Sequence, residues 1–275
     1  FHKYIRLSSY PFVSGDSLRK ISDHKLDEIS KINTKKIKKN EIVFVKTDYL
    51  DNFFQNVFPH VNNPFILITH NSKHQVNKDY LDFLNKKEFK WYAQNLNFST
   101  DLNERVFSIP LGIENRNYFK NGKLNNFNID IKSADKKLDK IYCSLNLVEN
   151  KNRVEILNIA KESNVVDFKN FANHQKYINN LNEYKFSICP EGRGFDTHRF
   201  WECLIVNTIP VVKNSVFINN FEKIGVPMLK LDKWEDLTNY SSNDLSIFYK
   251  KNLQVLKSHK FTLLDYWIKE IKRTT

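Results

Sequence analysis

Ten short apolar runs, most followed by a stretch with helical spacing, constrain this chain more than any other feature. The runs are Lys3–Ser8, Ile42–Lys46, Phe65–Thr69, Phe89–Tyr92, Val106–Ile109, Ile141–Leu145, Val165–Phe168, Phe186–Cys189, Ile209–Val212 and Met228–Leu231. The helical stretches are Ser17–Ser30, Tyr49–Val57, Lys78–Leu84, Lys151–Lys161, His174–Glu183, His198–Val206 and a long one over Asn243–Ile271. Strands alternating with helices imply βαβ units, and continuously apolar strands imply parallel sheets covered on both faces. The expected class is α/β.

The alternation breaks once. Tyr118–Asp139 is rich in Asn, Lys and Asp and poor in apolar residues, the composition of an exposed linker. It divides the 275 residues into halves of about five strands each, which suits two modest domains. The expected organisation is an N-terminal Rossmann-like lobe over 1–118, a linker over 119–139, a second lobe over 140–242 facing the first, and a C-terminal helix over 243–275 returning towards the N-terminal lobe. With 41% hydrophobic residues, including 22 Phe and 12 Tyr, both lobes can fill a core.

Several function classes recede on composition. No stretch approaches the roughly 18 apolar residues of a membrane helix, and Phe1 does not open a signal-peptide pattern. A soluble, cytoplasmic protein is expected, its first residue pointing to a longer product whose upstream part could carry an anchor. Cys143, Cys189 and Cys203 form no C-x-x-C pair and suggest neither a disulfide framework nor a zinc site. The net charge of +12 lies largely in lysine runs that read as solvated faces; it also offers peripheral attraction to an anionic membrane surface. Nucleic acid is not an expected partner, because no recognition motif accompanies the charge.

Glycine is scarce, six in the chain, yet two fall in the segment Cys189-Pro190-Glu191-Gly192-Arg193-Gly194-Phe195-Asp196-Thr197-His198-Arg199-Phe200-Trp201-Glu202. An apolar strand ends at Cys189, and a helix is expected to start with Asp196 or Thr197 as its N-cap. Glycines allow close backbone approach, and the free N–H groups of a helix start favour an anion. His198 and Arg199 sit in the first turn, where a cation opposes the helix dipole unless an anion is bound there. Glu202, one turn on, could accept both hydroxyls of a ribose. A plain strand-turn-helix junction would need none of these charges.

The run Phe186–Val212 resembles the donor-binding region of exostosin-like glycosyltransferases, with its C-P-x-G element, Arg-containing helix carrying Trp-Glu, and Ile-Pro-Val strand. The helix-strand part is also similar to GT-B fucosyltransferases, and the likeness extends to Pro227–Trp234. The resemblance implies a GT-B fold and transfer of a sugar from a nucleotide-sugar, UDP-linked rather than GDP-linked by preference, to a hydroxyl of a glycan acceptor. It implies that Arg199 meets the donor diphosphate and Glu202 the ribose, among a donor-binding set of Glu191, Gly192, Arg193, Gly194, Asp196, Thr197, His198, Arg199 and Glu202. Ser144, Asn146 and Arg153, at the junction after Ile141–Leu145, would border the donor phosphates, although a surface loop with an Asn cap accounts for them equally.

Polar residues at strand ends of the first lobe supply candidate bases for the acceptor hydroxyl: Asp16, His70 and Asp48. Each also has an ordinary structural explanation, as a helix cap or a strand-end histidine. Trp91–Asn95 and Ile109–Asn115 could meet sugar hydroxyls or a pyranose face, although core packing explains Trp91 equally well. No D-x-D triad stands at a strand end, so a metal-independent reaction without a cofactor is expected, with Arg193, His198 and Arg199 in place of a divalent cation. The same constellation also fits a non-catalytic sugar-phosphate or polyanion-binding module.

Overall fold

The structure, a computed structural model, describes residues 4, 6–145 and 152–273. It is α/β, with two five-stranded sheets whose neighbouring strands are all parallel. The class expected from the sequence is the class observed. The chain divides into two compact units, one of Phe1–Tyr118, Gly194–Asp196 and Leu263–Thr275, the other of Phe119–Arg193 and Thr197–Thr262. Among the described residues no helix is long and apolar enough to cross a membrane.

The first unit runs through helix α1 (Gly15–Ile21), β1 (His24–Leu26), β2 (Ile42–Lys46), α2 (Leu50–Asn52, continuing as a π-helical turn over Phe53–Val57), β3 (Phe65–His70), α3 (Asp82–Lys86), β4 (Phe89–Ala93) and β5 (Val106–Ser108). Its sheet follows chain order, β1-β2-β3-β4-β5. Aromatic rings fill its core: Phe65 stacks on Phe89 with centroids 5.1 Å apart, and Phe54 on Phe83 at 4.2 Å. Trp91 is fully buried there, its indole N–H donating to Thr69 Oγ1 at 2.9 Å, so its ring face is committed to packing.

Two expectations for this unit need correction. Residues 6–8 of the expected first strand are not extended in a sheet, and residues 3 and 5 lie outside the described residues. The helix expected over Ser17–Ser30 stops at Ile21, and β1 occupies part of the remainder. Asp23 is the cause: its N–H donates to Ile42 O at 2.9 Å and its carboxylate accepts from Ile42 N–H at 2.8 Å, which draws the chain beside β2.

The second unit comprises β6 (Leu138–Cys143), α4 (Arg153–Glu162), β7 (Val166–Phe168), α5 (His174–Glu183), β8 (Tyr184–Ile188), α6 (His198–Ile205), β9 (Ile209–Lys213), α7 (Val216–Lys223), β10 (Leu229–Leu231) and α8 (Ser242–Ser258). Its strand order, β10-β9-β8-β6-β7, differs in kind from that of the first unit. Crossovers run one way from β6 to β7 and the other way from β8 onward, so the winding reverses between β6 and β8. Phe186 on β8 meets Phe248 and Tyr249 of α8, and Tyr142 on β6 meets Tyr177 of α5, so helices cover both faces.

The long C-terminal helix expected over Asn243–Ile271 is two helices. His259 adopts a left-handed conformation (φ 52°) and caps α8, its N–H donating to Leu256 O at 3.0 Å. The chain restarts as α9 (Leu264–Arg273), which groups with the first unit and buries Leu264, Trp267 and Ile271.

Residues 119–139, which read as an exposed linker, pack on the second unit. Asn182 Oδ1 accepts from Lys132 N–H at 3.0 Å and Asn182 Nδ2 donates to Asp130 O at 2.8 Å. Lys137 is buried at 3% exposure, its ammonium donating to Asn182 O at 2.9 Å near the end of α5 and lying close to Tyr184 O and Thr208 Oγ1. Cationic donors suit the carbonyls at a helix C-terminus. Burial nevertheless pushes its pKa down to about 7.

Between pH 7 and the ordinary lysine value, the native chain therefore holds Lys137 neutral while the unfolded chain binds the proton. Stability contributed here rises with pH across that window. Urea midpoints measured from pH 7 to 9 are expected to give wild type a slope steeper than that of Lys137→Met, by about 1 kcal/mol per pH unit. Equal slopes would mean that Lys137 titrates at its usual pH.

Candidate active site

In an open α/β sheet, ligands bind beyond the carboxyl ends of the strands, where the winding reverses and two loops diverge. In the second unit that point lies at the ends of β6 and β8, which lead to Ser144 and to Cys189-Pro190-Glu191 respectively. Helix α6 follows, with Thr197 as its N-cap residue in extended conformation. Phe200, Trp201, Cys203, Leu204 and Ile205 bury the helix, and Trp201 packs edge-on against Phe221. This burial fixes where Arg199 and Glu202, three residues apart, must point.

Arg199 donates from Nη1 to Ser144 O, and its guanidinium lies 5.1 Å from the centroid of the Tyr177 ring. Among the described residues it has no carboxylate in ion-pair contact. Glu202 is buried at 4% exposure, and its Oε1 meets His174 Nε2 at 2.8 Å. Burial also holds the Tyr177 pKa well above the ordinary tyrosine value, and its hydroxyl has no hydrogen-bond partner among the described residues. Arg153, the first residue of α4 and 5% exposed, donates to Glu191 O from Nε and Nη2 at 3.3 and 3.1 Å. The guanidinium groups of buried Arg153 and half-buried Arg199 thus brace the loops after β6 and β8 through main-chain carbonyls.

The remaining residues expected to bind the donor divide between the units. Glu191, Gly192, Arg193, Thr197 and His198 stay in the second unit, with Glu191 and Arg193 exposed and His198 half-buried at the start of α6. A Cβ at Gly192 would lie 3.5 Å from Thr197 Cγ2 and 3.6 Å from Arg153 Nη2, ordinary contact distances among the described residues. Gly194 and Asp196 belong to the first unit. Asn95, held at φ 57°, accepts from Asp196 N–H at 3.1 Å, and the Asp196 carboxylate accepts from Leu111 N–H at 2.7 Å. These bonds occupy Asp196 with strand-end loops of the first unit. Asn146 lies outside the described residues.

In the first unit, Asp16 is 1% exposed at the start of α1. Its Oδ1 accepts from Asn71 Nδ2 at 3.0 Å and from Arg6 Nη1 at 3.3 Å, whereas buried Oδ2 has no partner among the described residues. Asn115 closes the ring by donating to Asn71 Oδ1 and accepting from Asp16 N–H, both at 2.9 Å. Burial pushes the Asp16 pKa up against the lowering effects of Arg6 and Asn71.

His70 is also buried, and both of its ring nitrogens meet main chain. Nδ1 accepts from Asn71 N–H at 2.7 Å and Nε2 donates to Pro110 O at 2.9 Å. Such bonding fixes a neutral ring that supports the Asn71 turn. Gly15 sits against it: a Cβ there would stand 1.7 Å from Asn71 Oδ1. Asp48 is exposed and pairs with His74 at 3.1 Å and Lys46 at 3.4 Å.

The sequence reading missed Arg6 beside Asp16, gave Asn71 and Asn115 no role around it, and missed Asn126, His174 and Tyr177 around Arg199 and Glu202. A polar residue beside a strand end was the only signal available for Asn71; the others join through non-local contacts. Among the described residues, no group of three or more His, Cys, Asp or Glu is placed to hold a metal ion.

No protein-family model matches this chain, and no curated protein sequence does. Among solved structures it is similar to an α,α-trehalose-phosphate synthase (UDP-forming) from Burkholderia vietnamiensis, at 8% identity and a TM-score of 0.46, with 87% of this chain and 76% of that one covered. It is also similar to an α,α-trehalose 6-phosphate synthase from Burkholderia multivorans, at 7% identity and a TM-score of 0.45, with 88% and 72% covered.

Proposed function

We propose that this chain is a GT-B glycosyltransferase that binds a nucleotide-sugar in its second unit and transfers the sugar to a glycan hydroxyl. The observation that carries the reading is Arg199, a cation set at the winding reversal and paired with a carbonyl rather than a carboxylate. Arg199 makes no ion-pair contact among the described residues, the Glu202 carboxylate acting on it only at longer range, and a diphosphate would supply an anion in direct contact. Arg153 at the start of α4 and the N–H groups at the start of α6 add positive potential to the same strand ends.

In this reading the diphosphate lies against Arg199, and Glu202 accepts the ribose hydroxyls. Asp16 takes the acceptor proton, its raised pKa making it a stronger base than an ordinary aspartate. Protein cations stabilise the leaving diphosphate, so no divalent metal is required. The likeness of Phe186–Trp234 to the exostosin-like enzymes favours a UDP-sugar, with a GDP-sugar as the alternative donor.

Thermal unfolding of the protein in excess EDTA, with UDP-, GDP- and CMP-sugars in turn, tests this directly, because a ligand bound only to the folded state raises Tm. One donor class is expected to raise Tm, and the same donor should be slowly hydrolysed without acceptor. No shift with any of them would overturn the reading. A shift without hydrolysis or transfer to any glycan would leave a binding module.

A further inference from the structure

We infer that His174 is a positioning residue for Glu202, and that Asn126, from the segment preceding the second sheet, sets the proton of His174 for that purpose. The inference rests on reading Glu202 as the ribose acceptor. Three side chains form a line: Asn126 Nδ2 stands 2.8 Å from His174 Nδ1, and His174 Nε2 stands 2.8 Å from Glu202 Oε1. The His174 and Glu202 side chains are 7% and 5% exposed. With the Asn126 amide donating to Nδ1, the ring proton resides on Nε2 and points at the carboxylate. Glu202 Oε1 is thereby engaged, while Oε2 makes no hydrogen bond among the described residues.

The line is built, because each member is held from behind. Asn126 O accepts from Gln175 Nε2 at 3.0 Å, which ties the 124–127 turn to the first turn of α5. Asn173 caps that helix by accepting from Lys176 N–H at 3.0 Å. Phe127 packs edge-on against the His174 ring at 5.9 Å, and Tyr177 flanks it at 5.8 Å. A glutamate with three side-chain torsions would otherwise have to be ordered by its ligand. Fixing it in advance lowers the cost of binding.

The consequence is that ribose recognition depends on a residue that does not touch the ribose. The probes are UDP and 2′-deoxy-UDP, or the guanosine pair if the protein selects GDP, with affinities measured by calorimetry. Wild type is expected to favour the ribonucleotide by about tenfold, the worth of one good hydrogen bond. In His174→Phe, which keeps a ring and removes the donor, this preference should fall to near unity, with deoxynucleotide affinity little changed. His174→Gln, whose amide can donate to Glu202, should recover most of the preference. Asn126→Ala should fall between them, which covers the case in which His174→Phe does not fold.

An equal loss for both nucleotides in His174→Phe and Asn126→Ala, with the preference intact, would show that the line serves folding alone. If the preference collapses in Glu202→Gln yet survives in His174→Phe, the inference fails and the ribose assignment stands. If wild type and Glu202→Gln bind both nucleotides alike, the ribose assignment fails and takes the inference with it.

Discussion

Arg199→Ala is expected to lower kcat/KM by roughly one and a half to three orders of magnitude, a loss of about 2–4 kcal/mol of transition-state stabilisation, from removal of a charge-assisted contact at the site. Charge grows on the diphosphate as the sugar departs, so kcat should suffer as well as nucleotide affinity. Arg199 also donates to Ser144 O and lies over Tyr177, so some destabilisation will accompany the substitution. Arg199→Lys separates the two effects: it retains a cation but loses the planar fork that reaches a carbonyl and a phosphate together. Activity should be partly regained in the lysine variant. Full activity in a folded Arg199→Ala protein would remove the diphosphate from this position.

Asp16→Asn is expected to lower kcat by roughly 100- to 10,000-fold, the usual contribution of a general base, while nucleotide affinity stays close to that of wild type. The amide is nearly isosteric, and Asn71 and Arg6 retain an oxygen to contact. A collapse of nucleotide affinity in Asp16→Asn, with indifference to Glu202→Gln, would mean that donor and acceptor roles have been given to the wrong units. His70→Gln offers a contrast. Both His70 ring nitrogens bond to main chain, so its effect should appear in stability before it appears in kcat.

The elements legible in the sequence were those whose signal is local. Strands β2 and β3 carry four-residue apolar runs, Ile42–Val45 and Phe65–Ile68, because both of their faces are covered, and Thr197 precedes a helix whose buried face is written in Phe200, Trp201, Leu204 and Ile205. Strand β1 was not legible, because three residues carry no usable period and it pairs with β2 through the bonds of Asp23. The break at His259 left no mark either: amphipathic spacing continues on both sides, and no glycine or proline stands at the junction to announce it.

Within the candidate site, Arg199 and Glu202 were visible as charges out of place at the start of a buried helix. Their partners were not. Asn126, His174 and Glu202 are separated by 48 and 28 residues, and each alone is an unremarkable polar residue in a polar stretch. The division of 191–197, which assigns Gly194 and Asp196 to the first unit, depends on Asn95 and Leu111 and could not be read from the motif itself.

The first unit is discontinuous, closed by Gly194–Asp196 and by α9, whose opening residue Leu264 donates its N–H to Pro11 O at 2.9 Å. A ribosome making this chain therefore finishes the second unit before the first. The N-terminal sheet emerges early but waits for the last helix of its unit until the residues after 262 leave the exit tunnel. Chaperone demand should fall on the N-terminal half throughout synthesis, and separating this protein into two independently expressed halves at residue 118 would strand the sheet without its last helix.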